Sequence, residues 1–302
     1  MDKKQLRGSL LLTLTALIWG TAFVAQTVGM DHIGPFTFNA VRTLIAGVAL
    51  IPVILLFDKL QKRPALSNAQ KRSTLVGGVF CGTVLFVASS LQQAGIEAIA
   101  ENSSGKAGFI TALYIIIVPI IGLFLGKRPR KLVWLCVVLA IVGFYLLCVT
   151  GDFSVGLGEL LVLGCALGYS FHIMIIDYFS PKADGMRMSC IQFFVSGFLS
   201  LIAMFLLEEP NLSGIWAARV SILYTGLMSS GVGYTLQILA QKDVNPTLAT
   251  MIMSLESVFA VLAGWLLLQE NLSPKELFGC LLVFVAVILA QLPEKKKESV
   301  PQ

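Results

Sequence analysis

The sequence predicts an all-α polytopic membrane protein with ten transmembrane helices, arranged as two inverted five-helix repeats. Three observations predict it. The first is composition: of 302 residues, 56% are hydrophobic and 13% charged, with a mean hydropathy of +0.84. A soluble domain carries roughly 25% charged residues, so this composition argues against a water-soluble enzyme. At about 20 apolar residues per bilayer crossing, the chain has room for about ten helices joined by short loops. The second observation is the placement of bases, and the third is a weak internal repeat.

In chain order, Met1 to Arg7 followed by apolar residues from Gly8 has the opening of a signal peptide. The apolar run continues through Trp19 to about Val28 and others follow, so it is read as an uncleaved first helix. Further apolar windows fall at 35–57, 73–95, 103–125, 131–149, 157–178, 189–207, 216–240, 246–268 and 276–292. Between them lie turn-like segments such as Asp58 to Arg72, Gly126 to Arg130, Thr150 to Gly156 and Ser180 to Arg187. None is long enough to form a domain.

Basic residues near helix ends are retained in the cytoplasm. With the N-terminus inside, that side collects 18 of the 22 bases, among them Lys3, Lys4, Arg7, Lys59, Lys62, Arg63, Lys71, Arg72, Lys127, Arg128, Arg130, Lys131, Lys182, Arg187, Lys242 and Lys295 to Lys297. The opposite side keeps Arg219 and Lys275 but holds Asp31, Glu97, Glu101, Asp152, Glu159, Glu208, Glu209, Glu270 and Glu276. This asymmetry requires an even number of crossings with both termini cytoplasmic. The expected location is therefore the cytoplasmic membrane. The net charge of +5 lies in short clusters between apolar runs and forms no continuous patch for nucleic acid.

The repeat is seen by laying Thr13 to Gly20 on Leu163 to Ser170, which keeps Ala-Leu followed after one residue by an aromatic and a small residue. Asn102-Ser103-Ser104 likewise matches Asn245-Pro246-Thr247. The units become 8–149, 157–292 and a cytoplasmic tail 293–302. Five helices is an odd number, so the second unit must be inserted upside down, as in secondary transporters that bind their cargo between halves.

The residues Ala16 to Phe23, Arg42 after Pro35-Phe36, Ala107 to Thr111 with Pro119, and Ser254 to Ala260 together resemble the EamA-type branch of the drug/metabolite transporter superfamily. The resemblance spans about 8–292. It implies ten helices, an inverted five-plus-five repeat, and carriage of small organic metabolites such as amino acids or drug-like compounds by alternating access, often outward. The family often has proline after the acidic residue of helix 9, where Ser257 stands here. The matching place in helix 4 is Tyr114, with Pro119 five residues later, which points to a displaced helix break.

A carrier needs polar groups at membrane depth, where an unpaired charge is costly. The candidates for substrate binding are Trp19, Arg42, Gln92, Lys106, Tyr114, Tyr234 and Gln237, and the candidate for proton coupling is Glu256. Arg42 and Lys106 suit an anionic group such as a carboxylate, or a structural pairing with Glu97, Glu101 or Glu256. Glu256 has to be protonated, paired with a base such as Arg42, or wetted by a cavity. Trp19, Tyr114 and Tyr234 are chosen from an aromatic set that also includes Tyr169, Phe171 and Tyr224, all able to serve as belt or packing residues.

His172 reads as a satisfied buried imidazole, because no second metal ligand stands at coordinating spacing. Asp177 and Arg219 lie near helix ends and can snorkel. The six cysteines read as buried packing residues, and the pairs Gly78/Gly82, Gly122/Gly126 and Gly164/Gly168 as helix contacts. No cofactor or metal is expected. The expected partners are a small-molecule substrate, lipid and a proton, in a monomer or homodimer. The rival functions are a non-catalytic membrane scaffold or receptor and, behind it, an intramembrane enzyme, for which no catalytic constellation is present in the sequence.

Overall fold

The computed structural model describes residues 3–61, 65–99, 103–126, 129, 131–148, 156–267 and 273–290. Outside them lie the tail 293–302, the bases Lys62, Arg63, Lys127, Arg128, Arg130 and Lys295 to Lys297, residues Glu101, Asn102, Asp152 and Glu270, and the side chains of Cys148 and Glu276.

All regular structure among the described residues is helical: α1 Lys3–Met30, α2 Pro35–Gln61, α3 Asn68–Ala98, α4 Ser103–Thr111, α5 Tyr114–Phe124, α6 Lys131–Cys148, α7 Leu157–Phe179, α8 Gly185–Leu207, α9 Leu212–Ala217 and α10 Arg219–Leu223, followed by a π-helical segment Tyr224–Tyr234, then α11 Thr235–Ala240, α12 Pro246–Met253, α13 Leu255–Leu267 and α14 Pro274–Ala290. Seven helical stretches are long and apolar enough to span a bilayer: α1, α2, α3, α4 with α5, α7, α8, and α12 with α13. Shorter apolar helices occupy Lys131–Gly143 and Leu277–Ala290. The apolar window 216–240 becomes four helical pieces.

Of the helices that begin earlier than their apolar windows, α3 and α8 are extended by polar caps. Ser67 and Gln70 close a capping box at the start of α3, with Gln70 N donating to Ser67 Oγ at 3.2 Å and Ser67 N to Gln70 Oε1 at 3.1 Å. Asp184 caps α8 by accepting from Arg187 N at 2.9 Å.

The breaks in the fourth and ninth windows fall at Ala112–Leu113 and at Ser254, not at a proline. At the first, Leu113 N bonds to Ile110 O at 3.1 Å and Ile115 N to Ala112 O at 3.0 Å, a tightened turn in place of the α ladder. At the second, the Ser257 hydroxyl donates to the Ser254 carbonyl at 2.6 Å, so a side chain competes for the backbone acceptor.

Helices α2 and α8 run antiparallel along one another. Phe36 N and Thr37 N at the start of α2 donate to Glu208, just past the end of α8, at 2.7 and 2.8 Å. At the other end Arg187 pairs with Asp58. Between them, Gly47 lies against Phe194 and Gly197 against Leu44, a reciprocal contact between positions 150 residues apart. The turns leading into the two helices are also alike: His32 N bonds to Gly29 O at 3.2 Å, and Lys182 N to Phe179 O at 2.9 Å.

The expected small-residue contacts hold at Gly78 and Gly82, which lie against Ile191 and Val195 of α8, and at Gly164 and Gly168, against Leu91 and Ala88 of α3. Gly126 differs. It has φ +76° with nothing within 4 Å of a would-be Cβ, so it ends a helix in the left-handed region instead of packing. The five cysteines whose side chains are described are all buried.

Candidate functional site

Helix geometry collects the polar groups of the apolar runs at the centre of the bundle. Trp19, Phe23 and Gln26 are spaced four and three apart on one face of α1, and Tyr169, His172 and Ile173 share a face of α7. Together with Arg42 of α2, Gln92 of α3, Thr111 of α4, Tyr114 of α5, Ser229 and Tyr234 of the π segment, Gln237 of α11 and Glu256 of α13, they line one cavity. The cavity is small, with room for one or two waters.

Arg42 is only 4% exposed. Its Nε donates to Asn39 Oδ1 at 2.9 Å, one Nη donates to Gln26 Oε1 at 3.2 Å, and its guanidinium lies 5.4 Å from the Phe38 ring centre. Both acceptors are neutral, and among the described residues no carboxylate pairs with it. The expected structural pairing with Glu97 or Glu256 is therefore not formed.

Glu256 is 3% exposed and accepts from the Tyr114 hydroxyl at 2.8 Å. The break at Ser254 places it in the first turn of α13, at the positive end of the helix dipole, which favours an anion. The breaks in the two helices thus bring Tyr114 and Glu256 into contact across the bundle.

A hydrogen-bond chain connects residues of 8–149 with residues of 157–292. Tyr234 Oη donates to Tyr169 Oη at 3.1 Å, Tyr169 Oη to Gln92 Oε1 at 3.2 Å, and Gln92 Nε2 to Thr111 Oγ1 at 3.1 Å. His172 Nε2 meets Gln192 Oε1 at 3.0 Å. Among the described residues Asn39 Nδ2, His172 Nδ1 and Gln237 Oε1 are buried without a hydrogen bond.

The π segment shapes one wall. Trp19 Nε1 donates to the Ser229 carbonyl of this segment at 3.1 Å, and the indole lies 4.7 Å from the Tyr234 ring. Gly233 permits this approach, since a Cβ there would stand 2.6 Å from Trp19 Nε1.

The structure gathers Trp19, Arg42, Gln92, Tyr114, Tyr234, Gln237 and Glu256 in this one site. It does not gather Lys106. That residue is half-buried in α4, five positions before Thr111, which at about 100° per residue turns it roughly 140° away from the cavity face. Sequence reasoning missed Gln26, Thr111 and the cavity position of His172. The signal for Gln26 was a lone amide in register with Trp19 and Phe23. Phe171 is exposed, and Tyr224 bonds to Thr21 away from the cavity.

Among the described residues no group of three or more His, Cys, Asp or Glu side chains is placed to hold a metal ion. Residues 6–149 and 156–292 each match the EamA-like transporter family. A protein of Archaeoglobus fulgidus named as an uncharacterized transporter is 30% identical over 96% of this chain and 87% of its own. The uncharacterized inner membrane transporter YedA of Escherichia coli is 26% identical over 91% and 88%. A Bacillus subtilis protein, the uncharacterized transporter YoaV, is 24% identical over 90% and 92%. One solved crystal structure, 18% identical, superposes with a TM-score of 0.74 over 94% of this chain and 96% of that one.

Proposed function

The chain belongs to the EamA-like transporter family, and from that premise we propose that it is a secondary carrier which moves a small organic solute bearing a carboxylate through the cytoplasmic membrane by alternating access. The seven long helices, α6, α14 and the segmented stretch 212–240 make ten crossings in this reading, with both termini cytoplasmic and the halves 8–149 and 157–292 inverted. Support comes from the two family matches and from the antiparallel α2 and α8, whose contacting positions stand 150 residues apart.

The observation that carries the cargo assignment is Arg42, a buried cation whose described acceptors are both neutral amides. Leaving a cation at membrane depth without an anion costs several kcal/mol, and such a residue marks a ligand path. A cargo carboxylate supplies the missing charge through the guanidinium fork. Trp19, Tyr169 and Tyr234 offer stacking surface for the rest of the solute. Glu256 serves as the proton site or as the partner of a cationic group on the cargo, and the direction of carriage is outward.

The test is flux in proteoliposomes with radiolabelled amino acids, nucleosides and cationic drugs. Carboxylate-bearing solutes are expected to move, and Arg42→Gln to abolish that movement while the protein remains folded. Movement confined to solutes without a carboxylate, or unaffected by Arg42→Gln, overturns the assignment.

A further inference from the structure

A second feature of the molecule lies on its outer surface. An apolar groove of about 600 Å³ runs between α2 and the short helices α9 and α10, walled by Val41, Ile45, Leu212, Ile215 and Ile222. Its charged residue is Arg219. The groove starts level with the helix ends, because Gly214 of α9 lies against the His32 carbonyl and Ile33 in the turn before α2. Val41 and Ile45 stand six and ten residues after Pro35, so the groove descends about 9 to 15 Å along α2. It therefore begins near the headgroup level and ends among acyl chains.

Arg219 is one of the two bases, with Lys275, set on the acid-rich side of the chain. One of its Nη atoms donates to the Trp216 carbonyl at 2.8 Å, and the guanidinium lies 5.0 Å from the Trp216 ring. That leaves most of its five N–H donors unspent, with no carboxylate paired to it among the described residues. The exposed Trp216 ring beside it suits the bilayer interface. A cation at the headgroup level above an apolar trough matches one kind of amphiphile. We propose that this groove is a binding site for an anionic phospholipid, its phosphate on Arg219 and one acyl chain along Val41 and Ile45.

The test is native mass spectrometry of the detergent-purified protein titrated with palmitoyl-oleoyl phosphatidylglycerol or with phosphatidylcholine of the same chains. Thermal unfolding is followed in parallel. The parent is expected to retain one phosphatidylglycerol per protomer and to be stabilised by it more than by phosphatidylcholine. Arg219→Gln should weaken retention roughly fivefold, the effect of one interfacial base, and Arg219→Lys should restore most of it. Ile45→Trp, which fills the trough, should abolish retention with Arg219 intact. Equal retention of the two lipids by the parent overturns the proposal. So does undiminished retention in both Arg219→Gln and Ile45→Trp. A dimeric parent that Ile45→Trp renders monomeric would assign the groove to a second copy of the chain and likewise overturn it.

Discussion

Replacing Arg42 by methionine separates a cargo-binding cation from a structural one. The substitution keeps an apolar stem about as long as the part of Arg42 up to Nε and removes the charged head. It leaves Gln26 Oε1 and Asn39 Oδ1 without their donor, at distances that had been 3.2 and 2.9 Å. Each unmet buried acceptor costs about 1–3 kcal/mol, or about 2–6 kcal/mol together. Against this, the buried guanidinium no longer has to be held out of water, which returns several kcal/mol. The two contributions nearly cancel, so the empty protein should keep its stability to within about 2 kcal/mol.

Had Arg42 been one half of a buried ion pair, removing it would cost 3–5 kcal/mol. Binding should respond differently. Losing a charged hydrogen-bond pair to a carboxylate costs about 1.5–3 kcal/mol, which is roughly 10- to 100-fold in affinity. The assay is thermal unfolding in detergent beside uptake of a carboxylate solute into proteoliposomes. An Arg42→Met protein that unfolds far below the parent, yet whose folded fraction transports normally, refutes the reasoning.

Glu256→Gln preserves shape and hydrogen-bonding capacity beside Tyr114, so the protein should fold, bind and exchange cargo for cargo but lose transport driven by a pH gradient; undiminished gradient-driven transport would move coupling elsewhere. Gly233→Ala places a methyl 2.6 Å from Trp19 Nε1 and so must dislodge the indole from Ser229 O. A several-fold rise in the solute concentration for half-maximal uptake is expected, while Gly231→Ala, which meets only a carbonyl at 3.4 Å, should match the parent. A reporter fused after Gln302 should be active only in the form that reads cytoplasmic location, and a signal from the other side would break the ten-crossing reading.

The helices were legible because the bilayer imposes a length of apolar sequence that no loop imitates. Their starts were less so. Ser67 and Asp184 are polar residues that extend α3 and α8 beyond what hydropathy registers. The site was legible wherever a polar group interrupted an apolar run, as with Arg42, Gln92 and Glu256. Which groups would meet was not: the contact of Tyr114 with Glu256, and the neutral partners of Arg42, depend on how distant helices pack. Lys106 is attractive in sequence as a cation at a helix start, while the rotation of α4 turns it from this cavity. The π segment left only a trace, the glycines Gly226, Gly231 and Gly233 in an otherwise ordinary apolar window.

The seat of Trp19 also makes the protein its own optical probe. The sequence has four tryptophans. Trp216 and Trp265 are exposed on the outer surface, and Trp134 lies on α6, away from the cavity lining. With those three changed to phenylalanine, the emission of the single remaining indole would come from the cavity wall. Its hydrogen bond to Ser229 O and its contact with the Tyr234 ring fix its surroundings, so an arriving solute or a change in wetting would alter its colour and yield. Occupancy could then be followed in real time, with no label attached and no knowledge of the cargo required.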